Sequence, residues 1–125
     1  MKTYTARCHC NATIFTVTIP PLETGATKVN QCNCSICTKR AYALVYPLRE
    51  EVKFIKGENE LKDYYFGKKR HPHRFCGECG TPILIDFKNV VDYEPLIGRL
   101  GITVSALLVV DNGRLVANGW QGEDI

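Results

Sequence analysis

The chain has 125 residues, 45% hydrophobic and 23% charged, with a net charge of +3. That suits one domain with a buried core, and no apolar run is long enough to cross a bilayer. The mild positive charge permits an anionic ligand but does not mark a nucleic-acid binder, and the opening MKTYTARCHCNATIF lacks the apolar stretch of a secretory signal, so a cytoplasmic or nuclear setting is expected rather than secretion.

Strand signals dominate the chain. In ATIFTVTIP, Ile14, Thr16 and Thr18 share one face while Phe15, Val17 and Ile19 share the other. CSICTKRA holds the best helix signal, one or two turns from Ser35 as an N-cap towards Ala41. YALVYPL, from Tyr42 to Leu48, is a short run of strand formers. EVKFIKG places Val52, Phe54 and Lys56 on one face and ends at Gly57, and the turn GENE is expected to fold LKDYYFG, from Leu61 to Gly67, back onto it. PILIDF, from Pro82 to Phe87, is a strand with Pro82 at its first position, where no ladder bond is lost. DYEPLIGRL, from Asp92 to Leu100, holds a short turn or helix near Pro95. ITVSALLVV, DNG and RLVA form a late hairpin turning at Asn112-Gly113. With no repeat or linker, residues 1–125 are expected to form a single, mainly β domain.

The seven cysteines fall in three tight groups: Cys8-His9-Cys10, Cys32-Asn-Cys34-Ser-Ile-Cys37 and Cys76-Gly-Glu-Cys79. Such spacing in a reducing compartment points to metal or chemistry rather than disulfides. In an extended segment residues two apart face the same way, so Cys8/Cys10 and Cys32/Cys34 can each aim two thiolates at one point. FCGECG is a knuckle whose Gly77 and Gly80 let backbone N–H groups turn towards the sulfurs. The outer pairs supply four sulfurs, which closes a tetrahedral zinc site; Cys32, Cys34 and Cys37 supply three, which leaves a position open for water or an incoming thiol. Cys37, near the start of the short helix, is expected to gain thiolate character from the backbone dipole. His9, His71 or His73 could instead supply a fourth ligand.

In their order and surroundings, CHCNATIF, QCNCSICTKRAYALVYP, FIKGENELKDYYFGKKRHPHRFCGECGTPI and, more weakly, GITVSALLVVDNG resemble the glutathione-dependent formaldehyde-activating enzyme family, which also includes centromere protein V relatives. The match covers the chain to about residue 110. It implies a single zinc-stapled, mainly β domain of packed, twisted antiparallel sheets with two zinc ions, a structural one on Cys8, Cys10, Cys76 and Cys79 and a functional one on Cys32, Cys34 and Cys37. It also implies a carbon–sulfur lyase that joins glutathione to formaldehyde, giving S-hydroxymethylglutathione. The family usually has Gly where this chain has Asn11; Asn is the next best residue at positive φ, so the turn is expected to survive. A Gly common after the third cysteine of the trio is missing from TKRAYA, and the tail LVANGWQGEDI does not match.

Three thiolates on zinc give a net charge of −1, which suits a thiolate carrier better than a Lewis acid for a carbonyl. Glutathione carries two carboxylates and one ammonium, so basic neighbours are expected to contact it. Lys39 and Arg40 follow the trio; Lys68, Lys69, Arg70, His71, His73 and Arg74 precede the knuckle. Arg40, Arg74 and Lys39 are the expected substrate contacts, and Tyr42, Tyr46, Tyr64 and Tyr65 are pocket or cross-strand aromatics. The alternatives are a non-catalytic zinc-stabilised module binding protein or nucleic acid, with DYYFGKKRHPHRF as its surface, and a thiol or zinc stress sensor using the trio as a labile site. The oligomeric state is not legible.

Overall fold

The computed structural model describes residues 1–67, 71–87, 96–107, 110–111 and 114–115. Among these residues the fold is mainly β, with all strands antiparallel and two short helices. One sheet has three strands in the order β1 (Lys2–Arg7), β2 (Ile14–Ile19) and β4 (Val52–Lys56). The other has five in the order β3 (Leu44–Val45), β8 (Leu100–Thr103), β7 (Pro82–Asp86), β6 (His73–Cys76) and β5 (Leu61–Tyr64). The helices are α1 (Ser35–Arg40) and α2 (Val104–Leu107), and β9 (Val110–Asp111) pairs with β10 (Arg114–Leu115). Among the described residues no helix is long and apolar enough to cross a membrane.

The core follows the alternation of the strands. Phe15, Val17 and Ile19 are buried on β2, as their shared face requires, and Phe54 of β4 meets the Phe15 ring at 5.2 Å between centroids. Tyr4 and Ala6 bury the same way along β1, a strand not picked out from the sequence, and Cys8 does so just beyond its end. Val45, Leu84 and Ile102 lie level across the five-stranded sheet and join this main core. A second cluster of Leu44, Ile85, Tyr42 and Cys37 packs apart from it, bringing α1 against the five-stranded sheet.

Two expected pairings take other forms. EVKFIKG and LKDYYFG do not make a hairpin: β4 pairs with β2, while β5 pairs with β6 in the other sheet. Gly57 lies at φ +77°, and Thr13 Oγ1 donates to its carbonyl at 2.9 Å, pinning it to the turn after Cys10. Residues Glu58–Glu60 then form a 3₁₀ turn, and Gly77 N–H donates to Glu60 O at 3.0 Å. The cysteine knuckle thus takes the hydrogen bond that a hairpin would have used, and the segment bridges the sheets. Nor is ITVSALLVV one strand. It ends at Thr103, whose hydroxyl donates to Pro82 O at 2.8 Å, and turns into α2 so that Ala106 and Leu107 bury against β1.

The β9–β10 pair stands where the late hairpin is expected, with Asn112 and Gly113 outside the described residues. Pro95 also lies outside them; from Leu96 the chain turns through Gly98, and Arg99 N–H closes the turn onto Leu96 O at 3.1 Å. Ser35 is the first helical residue rather than the N-cap: Cys34 holds that place, in extended conformation and with no side-chain capping bond. Asn11 adopts φ 65°, as expected where the family has Gly, and Ala41 closes α1 at φ 53°.

A Cβ added at Gly57 would fall 1.9 Å from Ala12 O, whereas one at Gly25, also at positive φ, would meet nothing within 4 Å. Gly25→Ala should therefore cost about 1–2 kcal/mol for the left-handed backbone alone, and Gly57→Ala about 3–5 kcal/mol, once backbone overlap is added. Urea unfolding midpoints measure both; equal losses would mean that the contact with Ala12 does not hold the strands.

Candidate metal sites and a ligand-sized cavity

The first group of sulfurs joins the start of the chain to the five-stranded sheet. Cys8 and Cys10 follow β1, Cys76 ends β6 and Cys79 follows it, and their four Sγ atoms all lie within 4.8 Å of one another. Cys10 Sγ stands 3.6 Å from Cys8 Sγ and 3.7 Å from Cys76 Sγ. Sulfurs bound at about 2.3 Å on a tetrahedron lie about 3.8 Å apart, so the spacing fits one zinc-sized ion. Each half curls around its sulfurs. Thr13 N–H points at Cys8 Sγ at 3.4 Å while Cys8 N–H donates to Thr13 O; Glu78 N–H points at Cys76 Sγ at 3.4 Å while Cys76 N–H donates to Thr81 O. His9 N–H donates to Thr81 Oγ1 at 3.1 Å, tying the halves together.

Proton affinity is spread across this group. The Ala12 amide favours the Cys10 thiolate, but burial and the sulfurs of Cys79, Cys8 and Cys76 outweigh it and push the thiol up to about 12. For Cys79, burial works the other way from its hydrogen bonds with Thr81 and Cys10, which win and bring it down to about 5. Four sulfurs this close cannot all ionise unless a cation joins them.

The second group is Cys32, Cys34 and Cys37, again within 4.8 Å of one another, presented by the loop into α1. Among the described residues no histidine joins either group. Burial pushes Cys37 up to about 12, with Cys34 and Cys32 adding to it. Cys34 moves down: burial opposes its ionisation, but the amides of Cys37 and Ile36 and the two neighbouring thiols prevail. The helix start therefore favours the thiolate of Cys34, at the cap, rather than that of Cys37. Both groups could hold zinc, and their all-sulfur donors suit a soft, tetrahedral ion.

The two groups differ in what surrounds them. Cys8 and Cys76 are buried in the main core. The trio instead lines a cavity of about 640 Å³, within the size range of small-molecule sites, about 300–1,000 Å³. Leu44, Ile85, Phe87 and Phe66 give it apolar walls; Asn30, Tyr46, His71, His73 and Arg99 add polar groups. Phe87 reaches in over Gly101, where an added Cβ would stand 3.1 Å from the ring.

None of the three cations expected to contact substrate lines this cavity. Arg74 is held across the β5–β6 pair by Asp63, Nε to Oδ1 at 2.8 Å. Arg40 donates to the Tyr42 hydroxyl at 2.9 Å and lies over the rings of Tyr64 and Phe75. Lys39 is exposed in the last turn of α1. Among the described residues, the cation that does line the cavity is Arg99. One of its terminal nitrogens donates to Tyr46 O at 2.6 Å, and it has no carboxylate partner among those residues. Nothing near the cysteine motifs announces Arg99; it arrives by the pairing of β8 beside β3.

His73 is buried at 4% exposure, its ring parallel to Tyr42 and tilted against Phe66. Burial, then the charge of Arg40, then His71, holds it down at about 4, so it is neutral at pH 7.

A protein-family model described as glutathione-dependent formaldehyde-activating enzyme matches residues 3–104. Among solved structures, the chain is similar to the crystal structure of a Rhodobacter sphaeroides protein, with a TM-score of 0.69 and 23% identity, over 86% of this chain and 90% of that one. At that identity the likeness bears on the fold.

If the four-sulfur group holds a structural ion, which supplies about 10 kcal/mol or more in small zinc domains, Cys76→Ser should leave the protein largely unfolded or insoluble. Cys37→Ser should keep the fold and lose only the metal held by the trio. Circular dichroism with metal counting separates the two, and equal unfolding would make the trio structural. A second expectation concerns pH. An unfolded imidazole takes its proton near 6.5 and folded His73 near 4, so the stability gained by keeping it neutral is complete above about 6.5 and is lost as the pH falls towards 4. The melting temperature should fall more steeply across that window than in His73→Phe; equal slopes would exclude this.

Proposed function

The chain belongs to the glutathione-dependent formaldehyde-activating enzyme family, and from that premise we propose that it is a carbon–sulfur lyase joining glutathione to formaldehyde or a similar small carbonyl, giving S-hydroxymethylglutathione. The observation that carries this reading is the placement of three sulfurs, rather than four, on the wall of a ligand-sized cavity. Cys8, Cys10, Cys76 and Cys79 would hold a structural zinc. A second zinc on Cys32, Cys34 and Cys37 would supply an open position that keeps an incoming thiol deprotonated near neutral pH.

The chain's own residues do the rest. Leu44, Ile85 and Phe87 exclude water around the sulfur. Arg99 receives a glutathione carboxylate with the guanidinium donors that Tyr46 O does not occupy. Arg40 holds the Tyr42 hydroxyl and through it the wall at the end of α1. In the reaction the sulfur bonds to the carbonyl carbon, the π pair moves to oxygen, and the proton lost by the thiol ends on that oxygen.

Calorimetry on the zinc-loaded protein should detect glutathione, and NMR exchange should show that the protein speeds formation of the hydroxymethyl adduct. Arg99→Ala should weaken glutathione binding by about ten- to hundredfold, the value of a charge-assisted contact worth about 1.5–3 kcal/mol. It should leave the binding of cysteamine, which lacks carboxylates, unchanged. No heat with millimolar glutathione would favour a non-catalytic binding module.

A further inference from the structure

His71 Nε2 and His73 Nδ1 are both sealed from solvent and neither has a hydrogen-bond partner. Leaving a buried polar atom unpaired costs about 1–3 kcal/mol, and native structures carry few of them. Here two occur two residues apart, and both rings line the cavity that the cysteine trio opens into. They come from β6 and the segment before it, while the sulfurs come from α1 and its approach. The rings are held in place by aromatics: His73 lies 6.0 Å from Tyr42 and 5.3 Å from Phe66, and His71 meets Phe87 edge-on at 5.3 Å. Both nitrogens are covered as the rings stand, so a polar group arriving with a ligand would reach them by turning the rings within the cavity wall.

The apolar walls and the Arg99 cation suit the body and one carboxylate of a thiol substrate, which leaves the second substrate's oxygen to Asn30, Tyr46, His71 and His73; of these Asn30 is already spent on the Tyr46 hydroxyl. We infer that His71 and His73 form the hydrogen-bonding seat for the oxygen of the carbonyl substrate, and that His73 delivers to it the proton given up by the thiol. This rests on the reaction proposed above. His71 donates to the carbonyl oxygen and polarises it. His73 Nδ1 takes the proton that the thiol sheds on binding at the trio; the thiolate's electron pair then forms the bond to carbon as the π pair moves to oxygen; the imidazolium returns its proton to that oxygen, leaving the hydroxymethyl thioether and a neutral ring. Because His73 holds a proton weakly, its imidazolium is transient: uptake from the thiol is the uphill step, and transfer on to the far more basic alkoxide is downhill.

The test uses the zinc-loaded full chain and four measurements: glutathione affinity, the rate of adduct formation from formaldehyde, rescue by added imidazole, and the imidazole nitrogen chemical shifts. His73→Phe keeps the aromatic packing and should bind glutathione within about threefold of the parent while losing about a hundredfold in rate, the lower end of what a positioned acid–base group contributes. His73→Ala should regain part of its rate with free imidazole. In the parent, the His73 nitrogen signals should move when the hydroxymethyl adduct is added and not with glutathione alone. If the parent accelerates the reaction and His73→Phe matches it, the inference is overturned and the proposed function stands. If His73→Phe loses glutathione affinity as much as rate, the histidine belongs to the thiol seat and the inference is again overturned. If the parent neither binds glutathione nor accelerates the reaction, both fall.

Discussion

Two sulfurs 3.7 Å apart, as Cys10 and Cys76 are, repel when both are ionised. A group of four multiplies that repulsion, so the bare cluster resolves it by proton affinity: Cys79 gives up its proton early and Cys10 keeps its own to high pH. A divalent ion converts the same crowding from a cost into an attraction. Much of the fold is arranged around this exchange, because the four sulfurs come from both sheets. Where they meet, β1 and its turn are fastened to the end of β6, and Gly57 is pressed into the same turn to carry the chain from one sheet to the other.

Strand β6 connects that junction with the cavity. Cys76 closes it at one end and His73 opens it at the other, about 10 Å apart at the rise of an extended strand. Pairing with β5 on one side and β7 on the other fixes both ends at once. The position of His73 over Tyr42 is therefore inherited from the same sheet that seats the knuckle. The wall that carries the trio is built differently, from a six-residue helix that ends on Ala41 in a left-handed conformation and packs through Cys37 and Tyr42.

The chemistry was easier to read from the sequence than the geometry. Thiols at spacings of two and three identify themselves, because a residue so reactive is seldom clustered without a task. The inward face of β2 and the positive φ of Asn11 also follow from local rules. What local rules missed was decided by distant partners. LKDYYFG pairs with β6 because the knuckle holds Glu60, and VSAL becomes helical because Ala106 and Leu107 find cover on β1. The expected cations were chosen for nearness in sequence to cysteines, but Arg74 alternates away to Asp63 and Arg99 is delivered by a strand far along the chain.

The partners in the four-sulfur group are separated by 66 residues, as Cys10 and Cys76 are. Closing a loop of that length costs about 4 kcal/mol of chain entropy, whereas the trio lies on one short segment and closes almost nothing. During synthesis the two events must therefore come in order. The trio can take up its ion soon after α1 leaves the ribosome. The first β-hairpin, with Cys8 and Cys10 at its tip, waits for the knuckle to be made before its thiols find their partners. Over that interval the nascent chain carries a two-sulfur half-site open to any soft metal or oxidant.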